Sequence, residues 1–445
     1  MSVSAYSIPN PKINPAIRPA IGLKPDGSPD DPDRVEIGPT DKAFQEWAAL
    51  GITAPNLTRI REFRLQRIVD ELQKRQLDGV LLFDPLNIRY ATDSMNMQVW
   101  VSHNPSRAAL VTADGYLVLW DFHGSDHLSN YLPLINERRH GAGFIYFIAG
   151  DKEEEKANEF AAQVDEVVRQ QCGKGRRLAI DKIEILGLRA LDALGFETFS
   201  GQEVMEHARE IKCPDEINAM RCSIATTEIA IAEMRKVLEP GIAEVELWAV
   251  MHAENIKRGG EWIETRILSS GPRTNPWMQE AGPRRVQDGD LVGFDTDLIG
   301  PYGICTDISR TWYCGDGTPS DEQRRLHEEA YTYFIRNQEL LKPGTHFQEL
   351  IEGGATLPEH FQEQRYGVVM HGVGLCDEFP SIPYPQDHTE GAWDYVLEPG
   401  MVICNEVYAG KVGGRDGIKL EDQILITEDG YENLTRCPFD EKLMG

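Results

Sequence analysis

Six side chains in the second half of the chain have the types and spacing of a two-metal site: Asp295, Asp297, Asp307, His371, Glu406 and Glu421. A single acidic residue of this kind is more often a solvated strand acid near a turn, but that interpretation weakens once all six are counted. Carboxylates crowded in a protein interior repel one another unless a cation neutralises them. Five carboxylates and one imidazole suit divalent Mn, Fe, Co or Zn rather than Cu(I) or a structural thiolate zinc.

The first of these residues fall on a predicted strand over 291–298. Side chains alternate along a strand, so Asp295 and Asp297 are expected on one face, about 7 Å apart. Asp307 follows a predicted turn at 300–303. If Asp297 and Asp307 face each other, the nine residues between them cannot close on a two-residue turn. The loop must then have an odd number of residues or contain a bulge.

The elements that must position these residues form two predicted domains, 1–205 and 206–445. In the first, helices are predicted over 56–75 and 155–171, and strands at 79–83, 108–112, 116–121, 144–148 and 178–181. This alternation predicts an α/β domain. In the second, a helix from 214 past 234 and another over 244–258 precede a region dominated by strands and hairpins.

Composition and charge exclude several classes of function. The chain has 445 residues, 41% of them hydrophobic, and a formal net charge of −27. That charge repels nucleic-acid phosphates and anionic membranes, so neither is an expected partner. No apolar stretch approaches the ~18 residues of a membrane-spanning helix, and the N-terminus has no apolar signal-peptide core. The eight cysteines are scattered without a C-x-x-C pair, so we expect reduced thiols in a cytoplasmic protein.

Short motifs around the acidic residues resemble the pita-bread metallopeptidase superfamily, which includes methionine aminopeptidases, prolidases, proline aminopeptidases and creatinases. The matching segments are 211–216, 297–311, 371–374, 399–402 and 419–422. The resemblance implies an α+β pita-bread catalytic domain behind a creatinase-like or prolidase-like α/β domain, and a homodimer. It also implies that Asp307 and Glu421 bridge two divalent metals, while Asp297, His371 and Glu406 each bind one.

The departures from the peptidase pattern are informative as well. Trp277 stands in the loop before the first metal strand, where the peptidases carry a histidine. Asp377 precedes a Glu-x-Pro sequence in place of a second histidine, one residue closer to the ligand histidine than usual. Val407 replaces a proline after the first metal glutamate, and Asp295 adds a carboxylate. Residues needed for peptide hydrolysis are therefore replaced, whereas the metal ligands are kept.

These substitutions, together with segments 83–93, 257–266 and 424–434, resemble one branch of the superfamily: the dimethylsulfoniopropionate lyases of the DddP type. The resemblance implies β-elimination of dimethylsulfoniopropionate to dimethyl sulfide and acrylate, with Asp377 as general base and iron as the metal. Elimination needs a base for the proton next to the substrate carboxylate, and two cations can spread the charge that builds there. As a base Asp377 needs a raised pKa, which we expect burial beside Phe379 and the metal-site carboxylates to supply. The alternative is that Asp377 is a turn acid that caps the following segment.

The positive end of such a sulfonium carboxylate substrate needs a different contact. A sulfonium cannot accept a hydrogen bond, but aromatic faces attract it. The candidate walls are Tyr366, Trp277, Trp100 and Trp312, and Trp100 could come from this subunit or from its partner. Each of these residues alone is more often a core aromatic. Two other functions stay open: a dinuclear Xaa-Pro aminopeptidase or prolidase-like hydrolase, and a non-catalytic pita-bread binding module.

Overall fold

The computed structural model describes residues 22–30, 38–353, 356–392 and 395–445. The chain divides into an N-terminal unit, Met1–Glu36 with Asn56–Arg209, and a C-terminal unit, Ile37–Pro55 with Glu210–Gly445. Helix α1 (Asp41–Ala49) therefore belongs to the C-terminal unit, although it precedes the N-terminal sheet. The boundary predicted between residues 205 and 206 lies within the last helix of the N-terminal unit.

The N-terminal unit contains a mixed six-stranded sheet packed with helices. Its strands are β1 (Gly79–Leu82), β2 (Ala108–Thr112), β3 (Leu117–Trp120), β4 (Glu137–Arg139), β5 (Arg177–Ile180) and β6 (Glu197–Ser200). Its helices are α2 (Leu57–Lys74), α3 (Pro85–Thr92), α4 (Gln98–His103), α5 (Tyr146–Ala149), α6 (Glu153–Cys172), α7 (Ile185–Ala193) and α8 (Gly201–Arg209). The strand order is β4-β3-β2-β1-β5-β6, with β1 antiparallel to β2 and parallel to β5. This confirms the predicted α/β class.

Side-chain caps explain where two of these helices begin. Asn56 accepts a hydrogen bond from the Arg59 backbone N–H at the start of α2, at 3.1 Å. Asp84 accepts one from Leu86 N–H at 2.9 Å, and Pro85 occupies the first turn of α3. Each cap satisfies an N–H that the helix leaves unpaired, which contributes about 1 kcal/mol.

One predicted strand of this unit is wrong. Residues 144–148 include the start of α5, where the backbone N–H groups of Ile148 and Ala149 both donate to Ile145 O at 2.9 Å. Phe144 is buried, whereas Tyr146 and Phe147 are 66% and 75% exposed. A short apolar run cannot be assigned to strand or helix by periodicity alone. The polar strands β4 and β6 are missed for the opposite reason, because they lack an apolar run.

The C-terminal unit combines helices with three antiparallel sheets. The helices besides α1 are α9 (Pro214–Val237), α10 (Glu244–Ile256), α11 (Asp321–Gln338), α12 (Phe347–Gly353) and α13 (Glu441–Met444). The strands are β7 (Leu268–Ser270), β8 (Leu291–Asp295), β9 (Leu298–Ile299), β10 (Cys305–Thr306), β11 (Ser309–Tyr313), β12 (Met370–Val373), β13 (Asp377–Ile382), β14 (Val402–Gly410), β15 (Gly417–Ile426) and β16 (Tyr431–Asn433). The sheet orders are β10-β9, β11-β8-β7 and β13-β12-β14-β15-β16.

Helices α9 and α10 confirm the two long helices predicted after residue 214. Helix α11 packs on β14 and β15, where Phe334 is buried and its carbonyl oxygen accepts a hydrogen bond from Asn405 Nδ2 at 3.0 Å. This packing leaves the other face of the five-stranded sheet for the acidic residues. Among the described residues, no helix combines the length and apolar character needed to span a membrane.

Candidate metal centre

Three of the predicted metal ligands come from neighbouring strands of the five-stranded sheet. Glu406 on β14 is paired directly with Glu421 on β15, and His371 on β12 is paired with Cys404 on β14. Cys404 and Glu406 are two residues apart, so their side chains share a face of the strand. The register therefore brings one imidazole, one thiol and two carboxylates together on one face.

The remaining acidic ligands come from the hairpin of β8 to β11. Asp295 pairs with Ser309 where β8 meets β11, and Leu298 pairs with Thr306 where β9 meets β10. Both pairs have the same register, so Asp297 lies opposite Asp307. The loop between the paired residues Ile299 and Cys305 has five residues, 300–304. An odd loop length was one of the two predicted solutions, and it is confirmed.

The prediction of one continuous strand over 291–298 is wrong. Strand β8 ends at Asp295, and Asp297 has a φ of 35°, in the left-handed region that few non-glycine residues adopt. At the break, Thr296 Oγ1 donates to Thr306 O at 2.6 Å and accepts from Ile308 N–H at 2.9 Å. The threonine side chain thus replaces backbone ladder bonds, and Asp297 leaves the alternation expected of a regular strand.

Two residues of β11 attach this hairpin to β15. Thr311 Oγ1 accepts a hydrogen bond from Lys419 N–H at 3.0 Å and donates to Lys419 O at 3.1 Å. The Arg310 guanidinium donates to Glu421 O at 2.7 Å and to Asp422 Oδ1 at 2.6 Å. These bonds fix the hairpin acids beside the glutamates of the sheet.

The ligand atoms converge around His371. Its Nε2 atom lies 3.3 Å from Asp307 Oδ2 and 3.4 Å from both Glu406 Oε1 and Glu421 Oε1. Its Nδ1 atom lies 2.9 Å from Gly372 O, an arrangement that leaves Nε2 available for a metal. We use the name acidic centre for the five carboxylates that surround this imidazole: Asp295, Asp297, Asp307, Glu406 and Glu421.

The convergent atoms fit a divalent metal ion. Ligand atoms bound to one ion at about 2.1 Å lie roughly 3.0–3.4 Å from one another, which is the spacing around His371 Nε2. Asp307 Oδ1, Glu406 Oε1 and Glu421 Oε1 are buried and have no hydrogen-bond partner within the described ranges. Buried carboxylate oxygens without donors need a cation. The donor set therefore suits divalent ions of the kind predicted.

Crowding shifts the acids of this centre towards their neutral forms. Burial raises the pKa of Asp307 well above its usual range, and the Glu421 and Asp295 carboxylates raise it further. Burial, followed by the Glu421 carboxylate, raises the pKa of Glu406 to about 8. Stable binding of a divalent ion would reverse these shifts, because the ion favours the ionised carboxylates.

Glu421 behaves differently from its neighbours. Burial favours its neutral form, but Lys419 and His371 outweigh burial and hold the pKa of Glu421 well below its usual range. Burial likewise opposes the charged form of His371, yet the nearby carboxylates of Asp307 and Glu421 raise the pKa of the imidazole. Glu421 is therefore held as an anion, unlike Asp307 and Glu406.

Asp377, the predicted base, begins β13 at the edge of this centre. A bulge in the pairing of β12 with β13 follows His371, and Asp377 pairs with Val373. Its Oδ1 atom lies 3.8 Å from His371 Nδ1, and its side chain is 55% exposed. Loss of water contact to the surrounding protein raises the pKa of Asp377, as expected. The nearby His371 opposes this shift.

Asp377 also belongs to a second convergent group. Ligand atoms of Asp297, Cys305 and Asp377 lie within 4.8 Å of one another, as do those of Asp307, His371, Cys404 and Glu421 in the first group. Thr265 Oγ1 donates to Asp297 Oδ2 at 2.8 Å and orients that carboxylate. The sequence motifs assign no role to Cys305 or Cys404, and only the structure shows that both thiols lie beside the predicted ligands.

A lysine in the middle of the acidic centre was missed by sequence reasoning. Lys419 Nζ lies 3.0 Å from Asp295 Oδ2, 2.8 Å from Glu406 Oε2 and 2.7 Å from Glu421 Oε2. Ser309 Oγ donates to Asp295 Oδ1 at 2.7 Å, so both oxygens of Asp295 accept from protein donors. A signal existed, because Lys419 lies two residues before Glu421 and must share its face of the strand.

Two of the predicted aromatic contacts, Trp277 and Tyr366, lie together in the C-terminal unit. Trp277 stacks on Tyr408 at 5.8 Å between ring centroids, and Tyr366 packs with the same group. Lys419 Nζ lies 4.6 Å from the ring centroid of Tyr366 and 5.9 Å from that of Trp277, so both border the acidic centre. Trp100 is in the N-terminal unit beside Phe122, and its contact with substrate stays a prediction.

The fold and this centre define a class of protein. Residues 218–428 match Metallopeptidase family M24, and residues 64–211 match the Creatinase/Prolidase N-terminal domain. An Xaa-Pro dipeptidase from Bacillus anthracis is similar in structure, with a TM-score of 0.68 and 22% identity over 84% of this chain and 98% of that one. The prolidase from Pyrococcus horikoshii has a TM-score of 0.66 and 22% identity, over 84% and 99%. The predicted creatinase-like domain and pita-bread catalytic domain are confirmed.

Two relatives are similar over almost the whole chain. The dimethylsulfoniopropionate lyase DddP of Roseovarius nubinhibens is 52% identical over 98% of both chains. The dimethylsulfoniopropionate lyase DddP of Roseobacter denitrificans is 51% identical, again over 98% of both. The chain belongs to the dimethylsulfoniopropionate lyase DddP family, as the sequence motifs predicted.

Proposed function

We propose that this protein is a metal-dependent lyase that splits dimethylsulfoniopropionate into dimethyl sulfide and acrylate. The observation that carries the proposal is the 52% identity, over 98% of both chains, with a dimethylsulfoniopropionate lyase. The geometry supports it, because an ionisable carboxylate, Asp377, borders a buried group of metal-binding residues. A small sulfonium carboxylate is the substrate in this proposal.

Asp377 is the general base in the proposed reaction. It takes a proton from the carbon next to the substrate carboxylate, and the electron pair of that C–H bond forms the double bond of acrylate. The C–S bond breaks with its electron pair on sulfur, which leaves as neutral dimethyl sulfide. A raised pKa suits Asp377 for this step, and its 55% exposure allows the proton to pass to water afterwards.

The metal ligands in this proposal are those predicted from the sequence. Asp297, Asp307, His371, Glu406 and Glu421 would hold two divalent ions, and Asp295 is the predicted sixth ligand although Ser309 and Lys419 donate to it. Bound ions would supply Lewis-acid stabilisation for negative charge on the substrate carboxylate. Iron is the proposed metal, and Mn, Co or Zn would suit the same oxygen and nitrogen donors.

The aromatic group beside the acidic centre is the proposed contact for the sulfonium. Tyr366 and Trp277 border the carboxylates, so a substrate whose carboxylate faces the metals would direct its positive end towards aromatic faces. Trp100 is the third proposed contact. Its neighbourhood includes the exposed ring of Phe147, and this exposed aromatic surface supports a homodimer. Eight free cysteines support a reducing, cytoplasmic setting.

The competing function is hydrolysis of Xaa-Pro dipeptides, which the similarity in fold to an Xaa-Pro dipeptidase favours. We would incubate the metal-loaded protein separately with dimethylsulfoniopropionate and with an Xaa-Pro dipeptide. We expect dimethyl sulfide in the headspace by gas chromatography and no amino acids released from the dipeptide. Dipeptide cleavage without dimethyl sulfide would favour the hydrolase and end the lyase proposal.

The role of Asp377 has its own test. We expect Asp377→Asn, which keeps the side-chain shape, to lower kcat by at least about 100-fold, because a positioned base contributes roughly that much or more. Metal content, measured by plasma mass spectrometry, should stay unchanged. Asp387→Asn, at an exposed carboxylate paired with Arg365, is the matched control and should keep full activity. Loss of metal in Asp377→Asn would make Asp377 a ligand rather than a base.

A further inference from the structure

Lys419 is a buried cation inside the acidic centre. It lies on β15 two residues before Glu421, and both side chains are fully buried. The ammonium is within 3.0 Å of one oxygen each of Asp295, Glu406 and Glu421. Each of these carboxylates stabilises the ammonium form of the lysine. The centre therefore contains a positive charge of its own.

The lysine separates the oxygens of two glutamates. The Oε2 atoms of Glu406 and Glu421 face Lys419 Nζ, at 2.8 and 2.7 Å, whereas their Oε1 atoms both lie 3.4 Å from His371 Nε2. Ser309 Oγ lies 3.0 Å from Glu421 Oε2, but its single proton already has a closer acceptor in Asp295 Oδ1. One oxygen of Glu421 is thus available beside His371, while the other is already held by the Lys419 ammonium.

The same ammonium changes the charge of the centre. Its five carboxylates carry five negative charges when all are ionised, and Lys419 cancels one of them. Four negative charges remain, which two divalent ions would neutralise. Asp295, whose oxygens bond to Lys419 and Ser309, therefore offsets the charge that the lysine brings.

We propose that Lys419 is a positioning residue that makes the two metal positions of the acidic centre unequal in affinity. A bridging carboxylate binds one ion through each oxygen, and Lys419 holds the Glu421 oxygen that the second ion would use. The ammonium also repels a divalent ion placed next to it. The position beside His371 and Glu421 Oε1 binds tightly, and the other binds weakly. This inference rests on the proposed function only in taking the centre to bind two ions.

Stepwise metal titration without substrate tests this inference. We would add Co²⁺ or Mn²⁺ to metal-free protein and follow binding by calorimetry, with the Co²⁺ visible spectrum or the Mn²⁺ spin-resonance signal as a second readout. For the wild type we expect two steps at least about tenfold apart in affinity. Lys419→Met should tighten the second step by about tenfold or more, so that the steps merge. Lys419→Arg, which keeps the charge, should leave them separate.

Controls keep the test decisive. Lys257→Met replaces a lysine of the same unit whose side chain is 58% exposed, and it should not change either step. If Lys419→Met does not fold, Lys419→Gln, which removes the charge but keeps a polar side chain, is titrated in its place. Equal steps in the wild type, or a second step that is unchanged or weaker without the lysine, would overturn the proposal. Dimethyl sulfide formation is measured separately, so failure of the lyase proposal gives a different result.

Discussion

Asp181 of the N-terminal unit and Asp307 of the C-terminal unit are both buried and both directly follow a short strand. Asp181 accepts hydrogen bonds from the backbone N–H groups of Phe83 and Asp84 at 2.8 and 3.1 Å and from Asn87 Nδ2 at 3.0 Å. Asp307 has His371 at 3.3 Å, and its Oδ1 atom has no hydrogen-bond partner in the described parts of the chain. Burial alone therefore does not distinguish a carboxylate that stabilises the fold from one that is proposed to bind metal.

The surroundings of the two side chains make the difference. Burial raises the pKa of Asp181 to about 6, against the hydrogen bonds from Phe83, Asn87 and Asp84. Burial raises the pKa of Asp307 much further, and there the neighbouring carboxylates add to the shift. The unit supplies donors that stabilise Asp181 as an anion, whereas Asp307 needs a cation from outside. We expect removal of the first to affect stability and removal of the second to affect metal binding.

The largest expected effect comes from replacing these two aspartates in parallel. Asp307→Ala should reduce metal affinity by more than about 100-fold and lyase activity to background, because losing a ligand costs more than losing a residue behind it. Its metal-free form should be as stable as the wild type, because a repelling carboxylate is gone. Asp181→Ala should lower the free energy of unfolding by about 2–4 kcal/mol while the folded fraction keeps its metal.

Denaturant unfolding and metal analysis of both variants check this pair. Each protein would be measured with and without metal, so that stabilisation by bound ions is separated from the intrinsic effect. A strongly destabilised metal-free Asp307→Ala would contradict a metal-binding role for Asp307. A folded Asp181→Ala that has lost its metal would contradict a purely structural role for Asp181.

The sequence was a good guide where one local rule decides the structure. The strands predicted at 79–83 and 108–112 follow from apolar runs, and the helix predicted from residue 56 follows from its helical spacing of apolar and charged residues. The odd loop between Asp297 and Asp307 follows from counting residues across a hairpin. The family follows from motifs around the acids, which are short and local in the chain.

Prediction from the sequence failed where the local structure depends on residues that are far apart in the chain. The break at Asp297 depends on Thr296 bonding to Thr306 and Ile308 across the hairpin, which no pattern in 291–298 reveals. Residues 144–148 are apolar but helical and exposed in part, so their hydrophobicity does not reflect burial in the sheet. Lys419 matched a family motif, yet its role depends on Asp295, 124 residues away in the chain.

A buried ion pair in the C-terminal unit tests the same comparison of structural and metal-binding charges, with a smaller expected effect. Lys212 is paired with Glu378, and their side chains are only 5% and 1% exposed. If hydrogen-bonding partners, rather than position in the C-terminal unit, decide whether a buried charge stabilises the fold or binds metal, this pair should stabilise the fold, as Asp181 does. We expect Lys212→Met to lower the free energy of unfolding by about 3–5 kcal/mol, because it leaves the Glu378 charge buried without its lysine. Metal affinity should change by less than about threefold.

The matched control for this prediction is an exposed pair of the same unit. Arg266 and Glu280 are 3.4 Å apart and both 55% exposed, and Arg266→Met should cost less than about 1 kcal/mol. Thermal and denaturant unfolding of both variants give the comparison. Loss of metal from Lys212→Met at temperatures where it stays folded would assign the pair to the metal centre instead.

The smallest expected effect concerns two tryptophans. Trp120 of the N-terminal unit donates from Nε1 to Gln163 Oε1 at 2.8 Å, whereas Trp277 Nε1 is buried without a hydrogen-bond partner among the described residues. Trp120→Phe should lower the free energy of unfolding by about 1–2 kcal/mol and leave KM unchanged, because it removes this hydrogen bond and part of a buried ring.

Trp277→Phe removes no such bond, so its cost should come from lost ring area alone and be smaller than that of Trp120→Phe. If the Trp277 face contacts the sulfonium, its KM for dimethylsulfoniopropionate should rise by about two- to tenfold with kcat unchanged, because phenylalanine attracts a cation less strongly. Steady-state assays by headspace analysis separate the two constants. An unchanged KM in Trp277→Phe would remove Trp277 from the proposed sulfonium contacts and leave it, like Trp120, a core side chain.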